Sequence, residues 1–379
     1  MALEGGITSP AVIRKPPVPP SPSQPALTFA QLLPRMALAL GLGAGGGALF
    51  FALHVPLPWL LGALTACVAG ALLNLPIRMP EKMRPPMSVI IGVMLGSTFT
   101  PQMLAGALGW LPSLVGLAFF LAAAGAVTIT YFRFVAGYDM RTAYFCGMPG
   151  GLVEMVLLGE SAGADTRKVA LVHAARVMLV IFAVPFIVQV MTGANLARPA
   201  ADAATFADLT PMAGLWFFIT AALGLVVARF APLPAPYMLG PMIVSLIVHL
   251  AGWTTFKPPI ELVIFAQIVL GCAIGCRFIG IGAAELLRMI LISIGATVVM
   301  LSVTVVFAWG MGALFGLNPV QVLLAYSPGG LMEMGLVALA LNIEVAFVIV
   351  HHLVRVMMVS TGAALVAGPL GFRTRPPSP

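Results

Sequence analysis

Apolar residues along this chain come in long runs, separated by short stretches carrying proline, glycine or charge. A helix needs about 20 apolar residues to cross the hydrocarbon core of a bilayer, and the runs are near that length. Twelve segments are predicted, at 36–54, 58–74, 86–100, 110–134, 141–158, 166–191, 211–230, 236–251, 260–276, 287–315, 320–341 and 343–368. The pattern is that of an all-α polytopic membrane protein. The fifth and eleventh segments are interrupted, by Pro149-Gly150-Gly151 and by Pro328-Gly329-Gly330. Proline removes a backbone donor and glycine favours helix ends, so each is predicted to be a broken helix.

The two breaks belong to a repeat. Adding 179 to the residue number carries Pro149-Gly150-Gly151-Leu152 onto Pro328-Gly329-Gly330-Leu331 and Glu154-Met155 onto Glu333-Met334. The same offset carries Asp165 onto Glu344, His173 onto His352, and Arg176-Val177-Met178 onto Arg355-Val356-Met357. Gly92, Gly96 and Phe99 map onto Gly271, Gly275 and Phe278, and "PWLLG" at Pro58 maps onto "PYMLG" at Pro236 with one residue less. The chain therefore reads as one duplicated unit. The division predicted is a Pro-rich tail at 1–32, a first membrane repeat at 33–192, a linker at 193–210, a second repeat at 211–370 and a tail at 371–379.

Charge decides how the halves are oriented. Cytoplasmic loops hold the excess of Lys and Arg. Arg176 and Arg355 lie within apolar segments, which leaves seventeen of the nineteen basic residues for this test. If all twelve segments cross, twelve face the cytoplasm and five do not. If the Pro-Gly-Gly segments dip in and return on the same side, the division is fifteen against two. The expectation is thus two inverted repeats, each with about five crossings and a re-entrant hairpin, although an unwound crossing helix carries the same signature. Both termini are expected in the cytoplasm of a bacterial inner membrane.

Composition narrows the function classes. With 60% hydrophobic and 8% charged residues the chain is no soluble domain. The first apolar run begins at residue 36 and is one of many, so it reads as a span and not a cleaved signal. Seven prolines among the first 30 residues favour extended, solvated backbone. The charge of +7 is scattered over short loops, which points to topology and not to nucleic acid. Cys67, Cys146, Cys272 and Cys276 all lie in apolar segments and read as packing residues. No metal site and no cofactor is expected, because no third ligand stands at metal spacing with the recurrent histidines. "GLGAGGG" at Gly41 to Gly47 reads as a helix-packing stripe.

The candidate chemistry lies at the breaks. A break frees backbone polar groups, so it must face protein or a water-filled cavity. Gly150-Gly151 and Gly329-Gly330 can each open a half-helix whose N-terminus carries positive partial charge, and two such tips meeting at mid-depth would suit an anion. Glu154 and Glu333 stand in the first turn, where a carboxylate either caps the helix or takes a coupling ion. Arg176 and Arg355 must find partners within the membrane: either the glutamate of their own half or a carboxylate substrate. His173 and His352 share their helical face and could relay protons. The site predicted is Pro149, Gly150, Gly151, Glu154, His173 and Arg176 with Pro328, Gly329, Gly330, Glu333, His352 and Arg355. Asp165 and Glu344 read as helix caps.

"MPGGLVEM" with "HAARVM", "SPGGLMEM" with "HHLVRVM", and the "PWLLG" and "PYMLG" helix starts resemble the AbrB duplication family of membrane proteins. Members are often labelled ammonia monooxygenase or AbrB family transcriptional regulator. The resemblance covers about residues 35 to 370. It implies a distant likeness to inverted-repeat secondary transporters, and so alternating-access transport. The expected partners are a small, anionic organic solute, a proton or sodium ion for coupling, and the bilayer, with a homodimer left open and no nucleic acid. Neither inherited label suits the residues: too few ligands converge for a monooxygenase, and no basic recognition element stands on a soluble domain. No enzymatic activity is expected, and the alternative reading is a membrane sensor acting indirectly on gene expression.

Overall fold

The computed structural model describes residues 28–101, 106–194, 196, 204–231, 233, 235–280, 283–341 and 343–367. Both predicted tails lie outside the described residues, apart from the end of the first and its junction with helix, and so does much of the linker. Among the described residues there are fourteen α-helices and no strand. The first half holds α1 (Phe29–Ala52), α2 (Pro58–Leu72), α3 (Arg84–Gly96), α4 (Leu111–Thr130), α5 (Met140–Gly147), α6 (Leu152–Ser161) and α7 (Thr166–Thr192). The second holds α8 (Pro211–Phe230), α9 (Pro236–Leu250), α10 (Ile260–Gly275), α11 (Ala283–Phe315), α12 (Pro319–Tyr326), α13 (Leu331–Ala340) and α14 (Val345–Ala367). Seven helices are long and apolar enough to cross a membrane, so this is a membrane protein. The two interrupted segments are each a pair of half-helices.

Helix α1 starts seven residues ahead of the apolar run that predicted it. Caps set its start, not hydropathy: the Gln31 side chain accepts from the Thr28 N–H at 3.2 Å, the reciprocal arrangement of a capping box. The connecting loops use strained residues at helix entries. Leu57 and Ala235 both take positive φ, at 44° and 52°, immediately before the Pro58 and Pro236 helix starts.

The helices assemble into two bundles, and each bundle draws from both halves. Helices α1–α3 and α8–α10 form one, and α4–α7 with α11–α14 form the other. Within the first, α2 packs between α1 and α10, and α9 packs between α8 and α3. Glycines set these contacts. A Cβ on Gly271 would stand 2.9 Å from Ala63 Cβ, and one on Gly275 would stand 2.6 Å from Cys67 Cβ. Numbers rise together, so α10 and α2 run parallel. Gly92 approaches Met238 and Gly96 approaches Ser245 in the same way, so α3 and α9 also run parallel. The end of α10 lies by the entrance to α3, where Arg277 Nε is 3.9 Å from Glu81 Oε1, so α3 runs antiparallel to α10.

The glycine-rich stripe of α1 packs as its spacing suggested. Gly46 lies against α2, where a Cβ would fall 2.7 Å from Ala66 Cβ and 2.9 Å from the Gly62 carbonyl carbon, whereas Gly45 faces open space. Gly46→Val should force the helices apart and cost about 1–3 kcal/mol, the usual range for overpacking. Gly45→Val should change stability by less than about 0.5 kcal/mol. Unfolding in mild detergent with added denaturant checks both.

Apolar packing differs between the two ends of the molecule. One large cluster runs through both bundles and includes Leu60, Ile91, Val180, Leu323, Met334 and Phe347. A second cluster, with Phe132, Phe145, Met155, Val169 and Met289, draws on the second bundle alone. At that end the bundles do not share a core.

Candidate functional site

Both broken segments fold by the same local rules. Asp139 accepts from Thr142 N–H at 3.1 Å to start α5, and Asn318 accepts from Val320 N–H at 2.9 Å to start α12. Each first half-helix then stops ahead of its proline, because the residue before proline is pushed from helical to extended backbone. Met148 has ψ 132° and Ser327 has ψ 130°. Gly151 and Gly330 open α6 and α13.

Each pair of half-helices folds back on itself. The Asp165 N–H donates to Thr142 Oγ1 at 3.0 Å, so the chain leaves the first break at the level where it entered. At the same offset of 179, Gln321 Nε2 donates to Glu344 Oε2 at 3.2 Å. Asp165 also caps α7 by accepting from Lys168 N–H at 3.2 Å, as its position predicted. Glu344 holds the corresponding place immediately ahead of α14.

The histidines and arginines hold the hairpins from the following long helix. His173 Nε2 is 2.8 Å from Phe145 O, and His352 Nε2 is 3.0 Å from Leu324 O. A carbonyl only accepts, so Nε2 carries the proton in both and Nδ1 is the bare nitrogen, buried without a partner. Arg176 donates to Met148 O at 2.9 Å and to Gly150 O at 2.7 Å. Arg355 donates to Ser327 O and, at 3.3 Å, to Gly329 O. All four side chains are buried, with 0–6% of their surface exposed.

This corrects one expectation. Neither arginine pairs with its own glutamate; among the described residues no ion pair joins them. The reason is local. The proline break orphans carbonyls at the end of α5 and α12, which need donors within the membrane, and a guanidinium supplies several in one plane. The carboxylates meanwhile curl over the N-termini of α6 and α13. A Cβ added to Gly151 or Gly330 would collide with the Glu154 or Glu333 carboxylate. Both glycines have ordinary extended backbone, with φ −70° and −74°. They are required for the room that the carboxylate takes, not for their dihedral freedom.

The second tip reaches the long helix that holds the first. Gly329 packs on Val180 of α7, where a Cβ would meet Val180 Cγ1 at 3.0 Å, and the Arg176 charge acts on Arg355. Pro149, Gly150, Gly151, His173 and Arg176 thus cluster on one hairpin, and Pro328, Gly329, Gly330, His352 and Arg355 on the other. The glutamates differ. Glu333 is buried, with Oε2 unpartnered and with Arg84 and Arg277 of the first bundle within electrostatic reach, whereas Glu154 is half-buried. Sequence reasoning missed those two arginines and also a buried network, in which Ser113 Oγ lies 2.7 Å from His351 Nε2 and the Tyr326 hydroxyl donates to Ser113 O. His351 has no repeat counterpart, so the internal comparison was silent there.

Known proteins are similar to this chain in sequence. The family model described as "Transition state regulatory protein AbrB" matches residues 59–370. "Uncharacterized protein YhjN" of Bacillus subtilis (strain 168) is 29% identical over 239 residues, a match covering 58% of this chain and 61% of that protein. "Putative regulator AbrB" of Escherichia coli (strain K12) is 26% identical over 324 residues, covering 83% of this chain and 91% of that protein. The match takes in both hairpins and both of the long helices that hold them, and this chain belongs to the AbrB family.

Proposed function

We propose that the protein is a secondary active transporter of a small anionic organic solute, coupled to protons or sodium, working by alternating access across a bacterial inner membrane. The observation that carries the reading is the pair of hairpins related by the offset of 179, each locked by a His and an Arg, with the tip of the second packed on the long helix that holds the first. Five crossings and one re-entrant hairpin return a unit to the side opposite its start, so a second copy enters inverted. The fold-back bonds at Thr142–Asp165 and Gln321–Glu344 favour a re-entrant hairpin over an unwound crossing helix. Parallel packing of the second helix of each half on the third helix of the other, with α3 antiparallel to α10, supports inversion. The tips carry the positive ends of α6 and α13, which suit an anion, and Glu154 and Glu333 are suited to take the coupling ion.

The asymmetry between the hairpins supports a carrier caught open on one side. Helix α13 packs on α3, and Leu336 is 4% exposed. Its counterpart in the first hairpin, Leu157, is 61% exposed. The separate cores lie at that same end. On the charge count this is the cytoplasmic side, so the state is inward-open with both termini in the cytoplasm. Turnover then consists of the first hairpin closing on α10 while the second leaves α3.

The name "regulator" carried by the Escherichia coli relative favours a second reading, in which the same two states report a bound solute to another protein. Reconstituted protein separates the two. A transporter accumulates radiolabelled mono- or dicarboxylates under an imposed proton or sodium gradient; a sensor binds them without net flux.

A further inference from the structure

The two hairpin glutamates have different surroundings to close upon. Glu333 lies buried at the start of α13, which packs on α3. Burial works against its charge, and the backbone at the head of α13, Arg84 at the start of α3 and Arg277 just past the end of α10 offset that cost. Glu81 lies 3.4 Å from Arg84 and 3.9 Å from Arg277, so two carboxylates meet two guanidinium groups across the seam between the bundles. The second hairpin thus closes on cations that the first bundle supplies.

The offset of 179 tells what Glu154 meets when the first hairpin closes in its turn. Arg84 maps onto Val263 in the first turn of α10, and Arg277 maps onto Thr98 past the end of α3. Neither is a cation. The charged residues closest to Val263 along the chain are already engaged: Glu261 accepts from Phe206 N–H at 3.1 Å, and Lys257 has a partner of its own. Helix α6 itself packs on α5, α7 and α14. His173 and Arg176 on α7, like His352 and Arg355 on α14, are committed to hairpin carbonyls in both halves alike, so they do not distinguish the two glutamates. The remaining charges of α5 and α7 stand at the hairpin base, the end of α6 away from Glu154. We infer, on the alternating-access reading, that the coupling ion rides on Glu154 to close the first hairpin, whereas the second closes on Arg84 and Arg277 without one. A bare carboxylate is costly at membrane depth; a proton on Glu154 neutralises it, and sodium pairs with it.

Disulfide trapping tests this without a known substrate. Val156→Cys with Ile274→Cys reports closure of the first hairpin, because the offset places that pair as Gly335 and Leu95 are placed in the second, where a Cβ on Gly335 would stand 3.0 Å from Leu95 Cδ1. In liposomes treated with copper phenanthroline, lowering the pH or adding sodium chloride should speed cross-linking of the first pair. Glu154→Gln should speed it about tenfold or more and abolish the response to either ion, since the cost of a charge at membrane depth is gone. Thr98→Arg, with Glu154 intact, should act in the same direction by supplying the cation that Arg277 supplies to Glu333, and it keeps the test open if Glu154→Gln fails to fold. Cross-linking of Leu95→Cys with Gly335→Cys should be accelerated by neither ion. An unchanged rate for the first pair in both variants overturns the inference, and so does equal acceleration of both pairs by the same ion. A first pair that cross-links under no condition contradicts alternating access itself, and the assignment of the ion to Glu154 falls with it.

Discussion

Arg355→Ala is expected to abolish transport and to destabilise the protein by about 3 kcal/mol or more, and Arg176→Ala to behave alike. Each guanidinium donates to two carbonyls at the end of a half-helix, and hydrogen bonds from a charged donor contribute about 1.5–3 kcal/mol each. Removing the donor leaves those carbonyls buried without water. Arg355→Lys should recover part of the stability, because an ammonium is a point donor that cannot span Ser327 O and Gly329 O as a planar fork does. Denaturant unfolding in detergent, read beside flux, separates the roles the sequence left open. A guanidinium serving only as a substrate ligand would leave stability untouched when removed. A large loss in both measurements identifies the hairpin lock.

Joining Gly335→Cys to Leu95→Cys by a disulfide should stop nearly all flux, and reduction should restore it. A Cβ at residue 335 stands 3.0 Å from Leu95 Cδ1, so the two thiols fall close to the separation that a disulfide needs. The bond pins α13 to α3 and holds the second hairpin closed. The offset of 179 gives the matching pair, Val156→Cys with Ile274→Cys, in the first hairpin and α10. That pair should cross-link slowly, through a minor state, and faster when a substrate draws the carrier to its other face. Rapid cross-linking of both pairs in the same molecules would exclude alternation.

Much of this arrangement was legible because polar residues are rare in an apolar chain. Two Pro-Gly-Gly breaks, two histidines and two arginines at one offset read as a repeat, and the structure gives the members of each pair matching carbonyl partners 28 and 26 residues away. The partners themselves were hidden. Every residue has a carbonyl, so no side chain in the sequence marks Met148 O or Ser327 O as an acceptor. Leu157 and Leu336 are chemically identical, and the sequence cannot tell which is packed and which is open. The early start of α1 escaped notice because Thr28 and Gln31, not apolar residues, set it. Gly151 and Gly330 were read as the openings of half-helices, and the space taken by a carboxylate explains why each is glycine.

The most direct test is two-sided labelling of Leu157→Cys and Leu336→Cys in a Cys276→Ser background, using a membrane-impermeant thiol reagent on oriented vesicles. Opposed hairpins predict that Leu157→Cys reacts readily and only from the cytoplasmic side, while Leu336→Cys reacts only from the other side and only during turnover. Reaction of both from one side, or of neither during active flux, would contradict the account.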